Sequence, residues 1–197
     1  SLEGDDQLLV SRERAVEMVD SNTLIVVVDV NRPSYTECPD ILTKGSNIVV
    51  LDHHRQMAER LENAVLSYVE PYASSACELV AEILQYVDDD LRITSSEADI
   101  MYAGIVVDTN NFVSKTGVRT FEAASYLRKL GADTTTIRHL FQDDLETFST
   151  RASVVQNAKV QDGVAVSWCP EGAKNPQLLA AQAADSLIGI RGIKASF

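Results

Sequence analysis

Two short apolar runs that end on charged groups dominate the hydrophobic pattern of this chain. Thr23-Leu24-Ile25-Val26-Val27-Val28 runs without alternation into Asp29, and Asn47-Ile48-Val49-Val50-Leu51 runs into Asp52-His53-His54-Arg55. Unbroken branched apolar runs of this kind predict parallel strands covered on both sides. The connection from Asn31 to Ser46 carries Pro33, Pro39 and a short helical stretch at Asp40–Leu42. Two core strands joined by such a crossover are most simply parallel neighbours, with both C-terminal ends at one edge of the sheet. Open α/β sheets bind ligands at that edge. Asp29 and Asp52–His54 are therefore expected to converge there.

The rest of the chain alternates between helical and strand patterns. Residues before Ser11 read as a connector, and Ser11 caps a helix running to Val19. Val65–Val69 alternates like an outer strand. Ser75 and Glu78 form a capping box that opens a helix with Leu79, Val80, Ile83, Leu84 and Val87 on one face, and Asp88-Asp89-Asp90 ends it as a solvated loop. A second capping box, Thr94 with Glu97, starts a run to Asn110 that its cap and length mark as helix. Thr116–Thr120 reads as a turn into a helix over Phe121–Leu130, closed by Gly131. Asp133–Phe141 and Leu145–Asn157 read as helices. From Ala158 the pattern changes, with Asp162-Gly163 signalling a hairpin, a helix over Pro176–Leu187 and a strand over Ile193–Phe197. That strand has no partner downstream, so residues 158–197 read as the start of a second domain.

Composition narrows the class. At 197 residues, 45% hydrophobic and 23% charged, the chain has the make-up of a globular protein of one domain and part of another. Its apolar runs are far too short to span a bilayer. Cys38, Cys77 and Cys169 are too scattered for a zinc knuckle or a disulfide framework, which fits a reducing cytoplasmic setting. A net charge of −12 opposes long nucleic acid as a partner and points to a small phosphate compound bound with the help of cations.

The candidate chemistry lies in Asp29, Asp52, His53, His54 and Asp108. Carboxylate oxygen combined with imidazole nitrogen suits manganese, iron(II), cobalt or zinc. Asp108 sits in an apolar run, where a carboxylate is costly unless it is paired or binds a cation.

Asp52-His53-His54 resembles the motif that names the DHH phosphoesterase superfamily. Ile25–Asn31 resembles its strand with a metal-bridging aspartate, and Ala103–Thr109 its fourth motif. Glu70–Ser75 and Lys115–Arg128 are similar to cyclic di-AMP phosphodiesterases of the GdpP type, and the tail from Ala158 resembles the first part of a DHHA1 domain. The resemblance implies a parallel-sheet α/β DHH domain over residues 1–145 with helices on both faces, a connecting helix at 146–157 and a partial α/β DHHA1 domain at 158–197. It implies that Asp29, His53 and Asp108 bind divalent metal, manganese first. His54 would face the substrate phosphate, and Asp52 would hold an imidazole from behind. Arg119 and Thr116 would contact substrate.

The implied reaction is hydrolysis of cyclic di-AMP to linear pApA by a hydroxide shared between two ions. An oligoribonuclease or a phosphatase for 3′-phosphoadenosine 5′-phosphate is the alternative within the superfamily, and a non-catalytic nucleotide-binding module lies outside it. The superfamily's first motif, a histidine followed closely by two aspartates, has no match here, and neither does the glycine-rich histidine motif near the end of DHHA1. The chain is thus expected to be a piece of a bacterial signalling enzyme, holding ligands for chiefly one ion and hydrolysing little alone. Its parent is expected to be membrane-anchored through upstream segments, with a homodimer as a further expectation.

Overall fold

The computed structural model describes residues 9–87 and 90–197. The chain falls into two compact units that meet between Arg138 and His139. In the first, α1 (Arg12–Met18) is capped by the Ser11 side chain and leads into β1 (Leu24–Val28). Then come α2 (Asp40–Lys44), β2 (Asn47–Asp52), β3 (Leu66–Val69), α3 (Ala76–Val87), α4 (Ser95–Asp108), α5 (Val118–Lys129) and α6 (Thr134–Leu140), within which the boundary falls. The strands form a parallel sheet in the order β1-β2-β3, with Val28 opposite Leu51 and Asp52 opposite Val69. The expected parallel pairing of the two apolar runs is what the structure shows.

One core gathers Ile25, Val27, Ile48 and Val50 from one sheet face with Val19, Leu42 and Leu61. Complete burial of a side chain such as Ile48 or Val50 contributes about 1.5–3 kcal/mol. The other face differs from expectation at β1: Leu24, Val26 and Val28 are 61%, 48% and 48% exposed. β1 is an edge strand, and α3 packs against β2 instead. A second core joins Ala81 of α3 to Ala98, Ala103 and Ile105 of α4, Ala123 and Leu127 of α5, and Ile137 of α6.

Three local expectations need correction. Ser75 Oγ accepts the Glu78 N–H at 3.0 Å, as a cap should, but the Glu78 carboxylate reaches back to the Ser74 N–H and hydroxyl, so the box closes one residue early. The buried face of α3 is Ala76, Glu78, Leu79 and Ala81, and Val87 is exposed, because small residues let α4 and α5 approach closely. Finally, α5 begins at Val118 rather than Phe121: the buried Thr120 hydroxyl accepts the Gly117 N–H at 3.0 Å and satisfies an end group there. Asp88 and Asp89 of the expected aspartate loop lie outside the described residues.

The second unit holds α7 (Leu145–Gln156), β4 (Lys159–Gln161), β5 (Val164–Val166), α8 (Pro176–Ile188) and β6 (Ala195–Ser196). Asp162 at φ 51° and Gly163 at φ 85° make the tight turn between antiparallel β4 and β5. The last strand is shorter than expected and finds its partner upstream, parallel to β5. Val154, Leu179 and Ala183 form the core of this unit. Among the described residues no helix is long and apolar enough to cross a membrane.

Candidate metal centre

Both strand ends deliver their polar residues to one place. The Asp29 N–H continues the ladder by donating to the Leu51 carbonyl at 3.0 Å, and the chain then turns at Asp29 into the left-handed region, φ 64°. A non-glycine residue there is strained, though aspartate tolerates it better than most, and such strain gathers at functional sites. Across the strand pair, His53 Nε2 lies 3.3 Å from Asp29 Oδ1 and 3.8 Å from Asp108 Oδ2, which arrives on the last turn of α4. The His53 side chain is only 9% exposed, so one ring nitrogen is presented between two carboxylates.

Asp52 is fully buried and holds the next imidazole. One oxygen lies 2.8 Å from His54 Nδ1 and accepts the His54 backbone N–H at 3.1 Å. The other accepts the Asn31 amide at 2.5 Å, and the same amide nitrogen donates to the His54 carbonyl at 3.3 Å. Asn31 Oδ1 is, among the described residues, a buried side-chain atom without a hydrogen-bond partner. Asn31 went unassigned in the sequence; its place two residues after Asp29 at a strand exit was the available signal.

Oxygen and nitrogen atoms of Asp29, His53 and His54 lie within 4.8 Å of one another, a spacing that a single cation can bridge. His54 Nδ1 is 3.9 Å from Asp29 but 2.8 Å from Asp52, so that nitrogen is already engaged by Asp52. His54 keeps its other ring nitrogen outside that contact, and Asp108 approaches His53 from α4. Ligands held about 2.0–2.2 Å from a borderline divalent ion stand about 3–3.5 Å apart; the 3.3 and 3.8 Å separations from His53 are near that spacing, while the group that lies wholly within 4.8 Å is Asp29, His53 and His54, without Asp108. Burial pushes the Asp108 carboxyl above its ordinary range and the Asp29 charge adds to this, against the opposing pull of His53. A cation between them would offset that cost.

Arg119 and Thr116 lie apart from this cluster in the contacts they make. The Arg119 guanidinium forks onto Glu82 at 2.7 Å on both nitrogens and also donates to the Tyr68 hydroxyl at 3.2 Å. Its remaining nitrogen is 3.9 Å from Glu70. Thr116 is half-buried just before α5. After Asp108 the chain passes through three consecutive left-handed residues, Asn110, Asn111 and Phe112, anchored by the buried Thr109 hydroxyl, which accepts the Phe112 N–H at 3.0 Å. No sequence pattern announced that turn.

A carboxylate and imidazole cluster, spaced as a cation site would be, thus lies at the carboxyl edge of a parallel α/β sheet, where such folds bind ligands. Residues 5–105 match the family model described as "DHH family, N-terminal domain". The chain belongs to the DHH family. It is 41% identical over 190 residues, 96% of its length, to the cyclic-di-AMP phosphodiesterase PdeA of Listeria monocytogenes, and 42% identical over 186 residues, 94% of its length, to the cyclic-di-AMP phosphodiesterase GdpP of Geobacillus thermodenitrificans. It spans 29% and 28% of the lengths of those two relatives. Its fold resembles an exopolyphosphatase-related protein from Bacteroides fragilis, with TM-score 0.78 at 19% identity over 92% of this chain and 56% of that one.

Proposed function

We propose that this chain carries the metal-binding part of a phosphodiesterase that opens cyclic di-AMP to linear pApA. The observation that carries the proposal is the meeting of Asp29, His53 and Asp108 at the sheet edge, in a chain more than 40% identical along nearly all its length to two cyclic-di-AMP phosphodiesterases. A bound divalent ion, with manganese put first by the family resemblance among the borderline ions this donor set suits, would supply Lewis acidity and an ionised water near neutral pH. Asp29, His53 and Asp108 hold it. His54, its Nδ1 engaged by Asp52, turns its other ring nitrogen toward a phosphate oxygen and stabilises charge there. Asp52 and Asn31 fix that ring from behind. Water oxygen ends on phosphorus, the bond to the 3′ oxygen breaks, and that oxygen leaves as a hydroxyl.

Asp29, His53 and Asp108 would supply ligands chiefly for one ion, so a second would draw on ligands beyond these three residues. Arg119, at the start of α5, and Thr116, just before it, would contact substrate, Arg119 through the nitrogen that Glu82 leaves unengaged. We place the DHH domain at residues 1–145, a connecting helix at 146–157 and part of a DHHA1 domain at 158–197; the separate core of Val154, Leu179 and Ala183 supports a second domain. A membrane-anchored parent and a homodimer complete the proposal.

The test is a comparison of rates on cyclic di-AMP, linear diadenylate and 3′-phosphoadenosine 5′-phosphate with manganese present, using the intact parent protein. Cyclic di-AMP is expected to be turned over to pApA, with His53→Ala abolishing activity and His139→Ala sparing it. Faster turnover of the bisphosphate or the linear dinucleotide would replace this function by the alternative one.

A further inference from the structure

Beside the metal centre lies a cavity of about 280 Å³ lined by Asp29, Asn31, Arg32, Tyr35, His54 and Arg55, together with Val30 and Asp52. Its inner rim is the carboxylate and imidazole pair just described. Its outer wall has a different chemistry. Arg32 Cζ stands 4.8 Å over the centre of the Tyr35 ring, and Arg32 donates to the Tyr35 hydroxyl at 3.2 Å. The two side chains therefore brace each other at either end of the short helical turn Pro33–Tyr35.

Among the described residues Arg32 and Arg55 show no carboxylate within 4.0 Å, as is also the case for Arg128, Arg138 and Arg191. The nearby Glu59 carboxylate is held by the Ser34 N–H and hydroxyl at 3.0 and 2.8 Å. Two guanidinium groups on one pocket wall bring positive charge beside Asp29 and Asp52 in a chain whose net charge is −12. Guanidinium groups pair with phosphate oxygens in a two-pronged geometry, and an exposed phenol ring offers a face to a base. Tyr35 is 65% exposed. The volume is slightly below the roughly 300–1,000 Å³ of pockets that enclose whole drug-sized ligands, a scale on which a single nucleotide unit is the natural occupant.

We propose that this pocket is a nucleotide subsite, in which Arg55 and Arg32 hold a phosphate of the substrate and the Tyr35 ring stacks on the adjoining base. The assignment rests on the phosphodiesterase reading for its physiological ligand, and it extends that reading by naming residues that select a nucleotide over a simple phosphate ester. Binding is shared between charge and stacking, so the two contributions separate by mutation.

Adenosine 5′-monophosphate and ribose 5-phosphate are the probes, titrated calorimetrically into the protein and its variants, with thermal melts to show that each variant is folded. Tyr35→Leu is expected to weaken the nucleotide on the order of 10-fold while changing ribose 5-phosphate by less than about twofold. Arg55→Ala and Arg32→Ala are expected to weaken both probes, each on the order of 10-fold or more. Glu122→Gln, on α5, is expected to change neither. The subsite is overturned if the unaltered protein binds adenosine 5′-monophosphate no better than ribose 5-phosphate, or if Tyr35→Leu and Arg55→Ala leave nucleotide binding unchanged. Rates on cyclic di-AMP are measured in parallel. Nucleotide binding that responds to these variants, with an intact parent protein that does not hydrolyse cyclic di-AMP, refutes the phosphodiesterase reading and leaves the subsite standing. Hydrolysis with binding indifferent to the variants does the reverse.

Discussion

Replacing Asn31 by alanine removes the donor that keeps Asp52 in place. Asp52 is fully buried, and Asn31 satisfies one of its oxygens at 2.5 Å while also bonding the His54 carbonyl at 3.3 Å. A hydrogen bond to a charged group contributes about 1.5–3 kcal/mol, and the longer bond to the carbonyl adds about 0.5–1 kcal/mol. The variant is therefore expected to lose roughly 2–4 kcal/mol of stability, a large part of the 5–15 kcal/mol typical of a domain. In urea unfolding the midpoint falls with little change in slope, and the melting temperature drops by roughly 5–15 °C. Asn31→Asp, which sets a second carboxyl against Asp52, should be no more stable than the alanine variant at neutral pH. An Asn31→Ala protein within about 0.5 kcal/mol of the original would show that water satisfies Asp52 as well as the amide does, and the role given to Asn31 would fall.

Two further outcomes follow from the close approach of α3 and α4. A Cβ on Gly104 would collide with Cys77 Sγ, so Gly104→Ala should destabilise by about 1–3 kcal/mol, and Cys77→Ala in the same chain should recover most of that loss in thermal melts. Burial, with Asp108 and Asp29 adding to it, pushes the Cys77 thiol from 9.0 to about 11. Below pH 9 the folded and unfolded chains both keep this proton. Between about pH 9 and 11 the unfolded chain releases it first, so stability falls as pH rises, by about 2–3 kcal/mol relative to Cys77→Ala. A pH-independent difference between the two proteins would contradict the buried-thiol argument.

Much of the site's location was legible because two unbroken apolar runs end on polar residues: β1 and β2 pair as expected, and their ends bring Asp29 and His53 within 3.3 Å. Local end signals also read well, as at Ser11, at Thr94 with Glu97, and at Asp162-Gly163. What remained hidden depends on contacts distant in sequence. Arg119 meets Glu82 and Tyr68 across 37 and 51 positions, and Asn31 meets Asp52 across 21. No window of sequence reports such partners, so a bracing arginine and a substrate arginine look alike. The exposed side of β1 was hidden for a related reason, since Val26 and Val27 look alike in sequence although only the latter's face joins the core with Val19 and with Leu42 of α2. Left-handed backbone at Asp29 and at Asn110–Phe112 was equally silent, because aspartate and asparagine tolerate that conformation without requiring it.

Manganese titration is the most direct measurement of whether Asp29, His53 and Asp108 form a metal centre. Followed by electron paramagnetic resonance or calorimetry, the unaltered chain is expected to bind the ion at this site. His53→Ala and Asp108→Asn should each lose about 10- to 100-fold or more in affinity, and His139→Ala, distant in sequence, should lose none. Binding that is equal in all four proteins would mean that the meeting of these side chains is not a metal centre.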